Sequence, residues 1–314
     1  LSLVKGISGA VQLTFEESTH AGWLYDLLGP HVAKLVVCNP RKNGRRSGSK
    51  SDRIDAQQLA RWLRSGDLAP VYHGDQGTRV LKELVRGYEH VVEDSTRCRN
   101  RLKAIYRSRG LWTPGRGVYR IEEREDWLSQ LDSGGLRSRA EWLYAQIELL
   151  EVLGEASRDA VECESRKHRG CRLLQTVPGI GWVRAAIIVA HVSSPFRFRT
   201  KRQFWSYCGF AVVTVSSSDW EMVEGKLVRR RQPVATRGLN KNHNRHVKGA
   251  FKGAATTACS KGGSFKPHFD HLVASGMREQ MAKLTVARKI AATSLTIWKK
   301  GEKFDPDKAV IEGR

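Results

Sequence analysis

Leu81, Leu84, Tyr88, Val91, Ser95, Cys98, Leu102 and Ile105 recur in unbroken steps of three and four. Only an α-helix puts such positions on one face, and a face that long is stable only against a partner. The spacing therefore predicts a long helix with a second one packed along it. Leu143, Ile147, Leu150 and Leu153 supply the second stretch. Between the two, residues 110–117 carry Pro114 and Gly115 and break the pattern. The pair is expected to run antiparallel, as a coiled-coil-like arm projecting from the body.

The segments on either side read differently. Val11-Gln12-Leu13-Thr14-Phe15 alternates like a strand, Trp23, Leu24, Leu27 and Leu28 mark a short helix, and Leu35-Val36-Val37-Cys38 is a second strand closed by Asn39-Pro40. Strand, helix and strand within so short a span make a parallel βαβ unit, its second strand buried on both faces. A helix is expected from Ser51 to Arg64, ended by Gly66. Beyond the arm, Val177-Pro178-Gly179-Ile180-Gly181-Trp182 reads as a helix–hairpin–helix-like turn feeding an apolar helix over 185–190. An aromatic cluster over 204–210 follows, then helices near 241–258 and 277–299. The fold class expected is α/β plus α, in three segments: 1–75, 76–168 and 169–314.

Charge narrows the function. The chain has 54 Lys and Arg against 32 Asp and Glu, a net +22 that asks for a polyanionic partner. The excess is clustered. Residues 225–252 hold nine cations and residues 95–110 hold six, neither run containing an acid; residues 41–53 hold six around Asp52 alone. Acid-poor runs of this kind suit a phosphate backbone. Within them Arg97, Arg99, Arg101, Lys103, Arg229, Arg230 and Arg231 are the expected contacts. The backbone amides around Gly179 and Gly181 are expected to hold a phosphate, although such a turn also serves simply to pack two helices.

No apolar run is long enough to span a bilayer. The six cysteines form no Cys-x-x-Cys pair, which argues against a zinc site and for a reducing, cytoplasmic compartment. The N-terminus has no signal-peptide pattern and no Met, so the chain is expected to be a fragment or an incompletely read frame.

Two groups carry candidate chemistry. Glu16 and Glu17 close the first strand, and Asp52 and Asp55 open a helix three residues apart, on one face. In a parallel α/β unit, ligands bind beyond the C-terminal strand ends, so the carboxylates can converge on a divalent cation. The competing reading is that the two Asp complement the helix dipole behind a Ser51 cap. The second group is Ser216-Ser217-Ser218, where a hydroxyl can attack a phosphodiester with cations downstream. The competing reading there is a polar loop.

Taken together, Phe15-Glu16-Glu17, Asn39-Pro40, Ser51-Asp52-Arg53-Ile54-Asp55-Ala56 and Val177-Pro178-Gly179-Ile180-Gly181 resemble the DEDD transposases of bacterial insertion sequences, relatives of Piv-type DNA invertases. The similarity runs from about residue 11 to about residue 300. It implies a RuvC-like (RNase H-like) N-terminal domain, a coiled-coil segment and a mostly helical C-terminal transposase domain. It implies Mg²⁺ held by Glu16, Asp52 and Asp55, with Glu17 of the doublet the alternative to Glu16, a serine nucleophile at Ser217 flanked by Ser216 and Ser218, and DNA as substrate. It also implies a structured RNA guide, a homo-oligomer, no membrane partner and a place at the bacterial nucleoid. The pattern puts a first Asp on a strand before the Glu. Residues 1–15 contain none, so a truncated or decayed copy is expected, its metal site one ligand short. Two other classes fit the same residues: a non-catalytic nucleic-acid-binding remnant, and a junction resolvase that would need no serine.

Overall fold

The structure, a computed structural model, describes residues 1–40, 51–71, 76–131, 134–215, 220–229, 236–260 and 263–307. Two compact units divide the chain, Leu1–Asp75 and Gln76–Arg314.

The first unit begins with α1 (Ser2–Lys5), β1 (Gln12–Glu16), α2 (Ala21–Leu28) and β2 (Lys34–Cys38). As expected, β1 and β2 pair in parallel, from Gln12 opposite Lys34 to Glu16 opposite Cys38. The following chain adds a short antiparallel edge: Asn39 N–H donates to Ala69 O at 2.9 Å and Val71 N–H to Val37 O at 2.7 Å. Helix α3 (Asp52–Ser65) starts where Ser51 accepts from the Ile54 amide and stops at Gly66, whose φ of 81° is left-handed. It packs on β1, and its apolar Leu59, Trp62 and Leu63 are each only half-buried. Strand β2 is buried only at its end, at Val37 and Cys38, rather than along both faces.

The second unit is built on α4 (Arg79–Arg107) and α6 (Gly134–Lys167), with α5 (Arg124–Ser129) in the connection. Tyr106 meets Tyr144, Cys98 meets Gln146, and a Cβ on Gly154 would touch Val91, so the two long helices run antiparallel. The three–four seam of α4 is the face that packs. On α6 the inward face is Ala140, Tyr144, Ile147 and Val161, whereas Leu153 is exposed. Leu150 and Leu143 border that face rather than form it.

Two cores divide the arm. Cys98, Leu102, Ile105, Tyr106, Tyr144 and Ile147 close one with Val118 and Leu128 from the connection. At the root, Leu81, Val85 and Val161 enter the larger core of the C-terminal helices. Those are α7 (Arg169–Leu174), α8 (Trp182–Val192), α9 (Lys201–Tyr207), α10 (Arg245–Ser260), α11 (Lys266–Ala274) and α12 (Glu279–Lys300). Thr200 and Gln203 form a capping box that starts α9. Among the described residues between α9 and α10 lie four short strands, β3 (Val212–Val215), β4 (Trp220–Val223), β5 (Lys226–Arg229) and β6 (Thr236–Leu239). They form two antiparallel ladders, β3 with β6 and β4 with β5. The sequence reading had this stretch only as a serine loop and a basic run.

Among the described residues no helix is long and apolar enough to cross a membrane. All six cysteines are free thiols, five of them buried.

Candidate functional site

Glu16 stands at the C-terminal end of β1, and Asp52 and Asp55 occupy the first turn of α3, the helix packed on that strand. All three are exposed. Glu17 continues the ladder, its amide donating to Cys38 O at 2.9 Å. The fold therefore brings the three carboxylates to adjoining elements. It does not gather them within 4.8 Å of one another, the spacing of the one donor cluster found among the described residues. Exposed carboxylate oxygens are hard donors of the kind Mg²⁺ takes while it keeps several of its waters.

The glycine turn separates into two roles. Gly179 has φ of 85°, and a Cβ there would lie 2.2 Å from Ala254 O on α10. Its position is thus fixed by close packing. The Gly179 carbonyl also accepts from Arg184, at 2.7 Å. Gly181 caps α8 without a side chain, and a Cβ there meets nothing within 4 Å. It opens on a groove of about 750 Å³ bordered by α4, α6, α8 and α10. Trp182, Arg184, Arg158 and Gly253 also line it. Arg166 lies over the Trp182 ring at 5.5 Å.

The basic residues of α4 fall on two faces. Arg99 pairs with Glu151 at 2.7 Å, Lys103 donates to Gly115 O at 2.7 Å, and both cations lie over the Tyr119 ring. These two hold the arm together. Arg97 pairs with Glu93 and Asp94 along its own helix. Arg101 is exposed and makes no hydrogen bond or ion pair among the described residues. Arg229 ends β5, opposite Trp220. Ser216, Ser217, Ser218, Arg230 and Arg231 lie outside the described residues.

One cluster has no counterpart in the sequence reading. Glu89 of α4, His191 of α8 and His246 of α10 bring their ligand atoms within 4.8 Å of one another. His191 Nε2 lies 3.0 Å from Glu89 Oε1, and His246 Nδ1 lies 2.8 Å from the same oxygen. The two rings stack with centroids 4.8 Å apart. Burial pushes the His246 imidazole below its ordinary range; His191 and Arg245 push the same way and Glu89 opposes them. The three residues are far apart in sequence and carry no local spacing signal, so only the packing of α4, α8 and α10 reveals them.

The architecture and the comparisons agree. A DEDD-type transposase model matches residues 3–108, and the model for the transposase IS116/IS110/IS902 family matches residues 171–270. The first match ends with α4 and the second begins in α7. The chain is similar to the transposase for insertion sequence element IS1111A of Coxiella burnetii, 23% identical over 224 residues, 69% of this chain and 60% of that one. It is also similar to the putative transposase y4qE of Sinorhizobium fredii, 28% identical over 203 residues, 63% of this chain and 49% of that one. The chain thus spans half to three fifths of the length of these curated relatives. The two family models, matched one after the other along the chain, mark it as a DEDD-type transposase chain. Within that class the chain belongs to the IS110 transposase family.

Proposed function

We propose that this chain cuts and rejoins the DNA of an insertion sequence, with Glu16, Asp52 and Asp55 as the carboxylate site and Ser217 as the nucleophile. The observation that carries the reading is that Glu16 ends β1 while Asp52 and Asp55 begin α3, a helix in contact with that strand, all inside the stretch matched by the transposase model. The three carboxylates are the residues that would hold Mg²⁺; when bound, the ion supplies charge stabilisation at a phosphate oxygen. Ser217 forms a bond from its Oγ to the DNA phosphorus as the bond to a deoxyribose oxygen breaks; its proton passes to a base and the departing oxygen is protonated. Asp52 and Asp55 stand three residues apart in the first turn of α3, so both lie on one face of that helix. The exposed Arg101 and the basic strands near β5 hold phosphate backbone, of DNA or of a structured RNA guide. The long arm serves assembly with further copies, as recombination must hold several ends at once.

The experiment is incubation of the full chain with DNA carrying the element's ends and Mg²⁺, read as a covalent protein–DNA adduct. The adduct is expected to vanish in Ser217→Ala and to fall at least a hundredfold in Asp52→Asn. Cleavage that survives Ser217→Ala supports a junction-resolvase chemistry instead. Salt-sensitive binding with no cleavage, unaltered by either substitution, overturns the catalytic reading in favour of a binding remnant.

A further inference from the structure

We propose that Glu89, His191 and His246 form a binding site for a divalent transition-metal ion of the zinc type, fastening α4, α8 and α10 together. Two imidazole nitrogens and one carboxylate are the donor set of Zn²⁺ and its neighbours, not of Mg²⁺. The absence of cysteine pairs excludes only a thiolate site. Donors around a tetrahedral ion at about 2.0–2.1 Å lie about 3.3 Å apart. Here the nitrogen-to-carboxylate spacings are 3.0 and 2.8 Å and all three donors lie within 4.8 Å of one another, so the ion has chiefly to draw the two imidazole nitrogens together. The charge also fits. The Glu89 side chain is only 11% exposed, and among the described residues its ion-pair partners are the two imidazoles, with no Lys or Arg. Glu89 and His246 face the 750 Å³ groove, which gives the ion a way in and a fourth position for water. Glu93 and Glu162 on the same groove are each paired with arginine, Glu93 with Arg97 and Arg245 and Glu162 with Arg158, so Glu89 is the carboxylate left for the ion.

The hydrogen bonds say where the protons are. Asn244 Oδ1 accepts the amides of His246 and Val247, both at 3.0 Å, which caps α10 and fixes the amide's orientation. Its Nδ2 then donates to His191 Nδ1 at 3.2 Å. His191 therefore carries its proton on Nε2, toward Glu89. Arg245 Nε donates to His246 Nε2 at 3.2 Å, so the His246 proton is on Nδ1, also toward Glu89. An ion entering between the three donors moves each proton to the far nitrogen of its own ring, with no net release. His246 then turns away Arg245, which is exposed and keeps Glu93 at 2.6 Å. Arg245 therefore opposes loading, and so does the Asn244 amide, which His191 Nδ1–H then meets. An aspartate there offers one oxygen to α10 and one to Nδ1–H, the carboxylate–histidine–metal arrangement that strengthens such sites.

The test is titration of chelator-treated full-length chain with Zn²⁺, followed by calorimetry and by retained metal after dialysis. One Zn²⁺ per chain is expected, with a rise in unfolding temperature, and Mg²⁺ does not compete. Binding is expected to weaken at least tenfold in Glu89→Gln and His246→Ala, and to tighten about tenfold in Asn244→Asp. Co²⁺ should give visible absorption bands in the native chain that are lost in His246→Ala, which separates a lost ligand from a lost fold. Sub-stoichiometric uptake, uptake unchanged in folded Glu89→Gln, or weaker binding in Asn244→Asp overturns the site. None of these readings needs DNA, so they stand or fall apart from the recombination reaction.

Discussion

A β-carbon on Gly179 would sit 2.2 Å from the carbonyl oxygen of Ala254. The turn and α10 are in contact through bare backbone, and the turn residue has a positive φ of 85°. Both conditions exclude a side chain. Gly179→Ala is expected to destabilise the second unit by about 2–4 kcal/mol, combining left-handed strain with overpacking. Gly181→Ala meets open space and is expected to cost no more than about 1 kcal/mol. Urea unfolding of the two variants decides it; equal losses would mean that the α10 contact does not constrain the turn.

What was legible in the sequence was local. Ser51 and Gly66 announce the ends of α3 because caps act within a single turn. The α4 seam follows from helical geometry alone. The α6 face was misread by part of a turn: Leu153 points to solvent, while Tyr144 and Gly154, which look unremarkable in the sequence, face α4. The four strands between α9 and α10 were hidden by their brevity and by Lys226, Arg229 and Arg237, which made a sheet edge look like a charged run. Arg97, Arg99, Arg101 and Lys103 are expected from the sequence as phosphate contacts together, yet neighbours two apart on a helix face different sides. Glu89, His191 and His246 have no sequence signature, because their proximity is created by three helices meeting.

The two faces of α4 give opposite phenotypes. Arg101→Ala removes an exposed cation with no protein partner among the described residues, so it should weaken nucleic-acid binding and lower the salt dependence by about one unit of slope. Arg99→Ala breaks the Glu151 pair and the Ser95 hydrogen bond at 2.5 Å, and is expected to destabilise the arm by about 1 kcal/mol with the slope unaltered. Binding isotherms across salt, beside thermal melts, distinguish the two. A salt slope that falls for Arg99→Ala and not for Arg101→Ala would assign the faces the other way.

The thiols should react in a fixed order. Cys163 is exposed on α6, whereas Cys171 is fully buried and its thiol is pushed up to about 12 by desolvation. Burial also raises Cys208 well above the ordinary thiol. Since the thiolate is the nucleophile, about one Cys171 in ten thousand is reactive at pH 8. Maleimide labelling of native protein, read by peptide mass, should mark Cys163 first and leave Cys171 and Cys208 intact until denaturant is added. Early labelling of Cys171 would mean that α7 opens from the core.

His268 on α11 ties stability to pH. Burial holds its imidazole below the ordinary value of 6.5, and Lys289 and His271 push it the same way. The unfolded chain therefore takes up a proton near pH 6.5 that the folded chain refuses. The contribution is whole above that value and is lost as pH falls from 6.5 toward the lower folded pKa. His268→Gln removes the difference without adding charge. Urea midpoints at pH 7.5 and 5.5 should fall for the native chain and fall less for the variant. Parallel curves for the two proteins would show that His268 is protonated as readily in the folded chain as in the unfolded one.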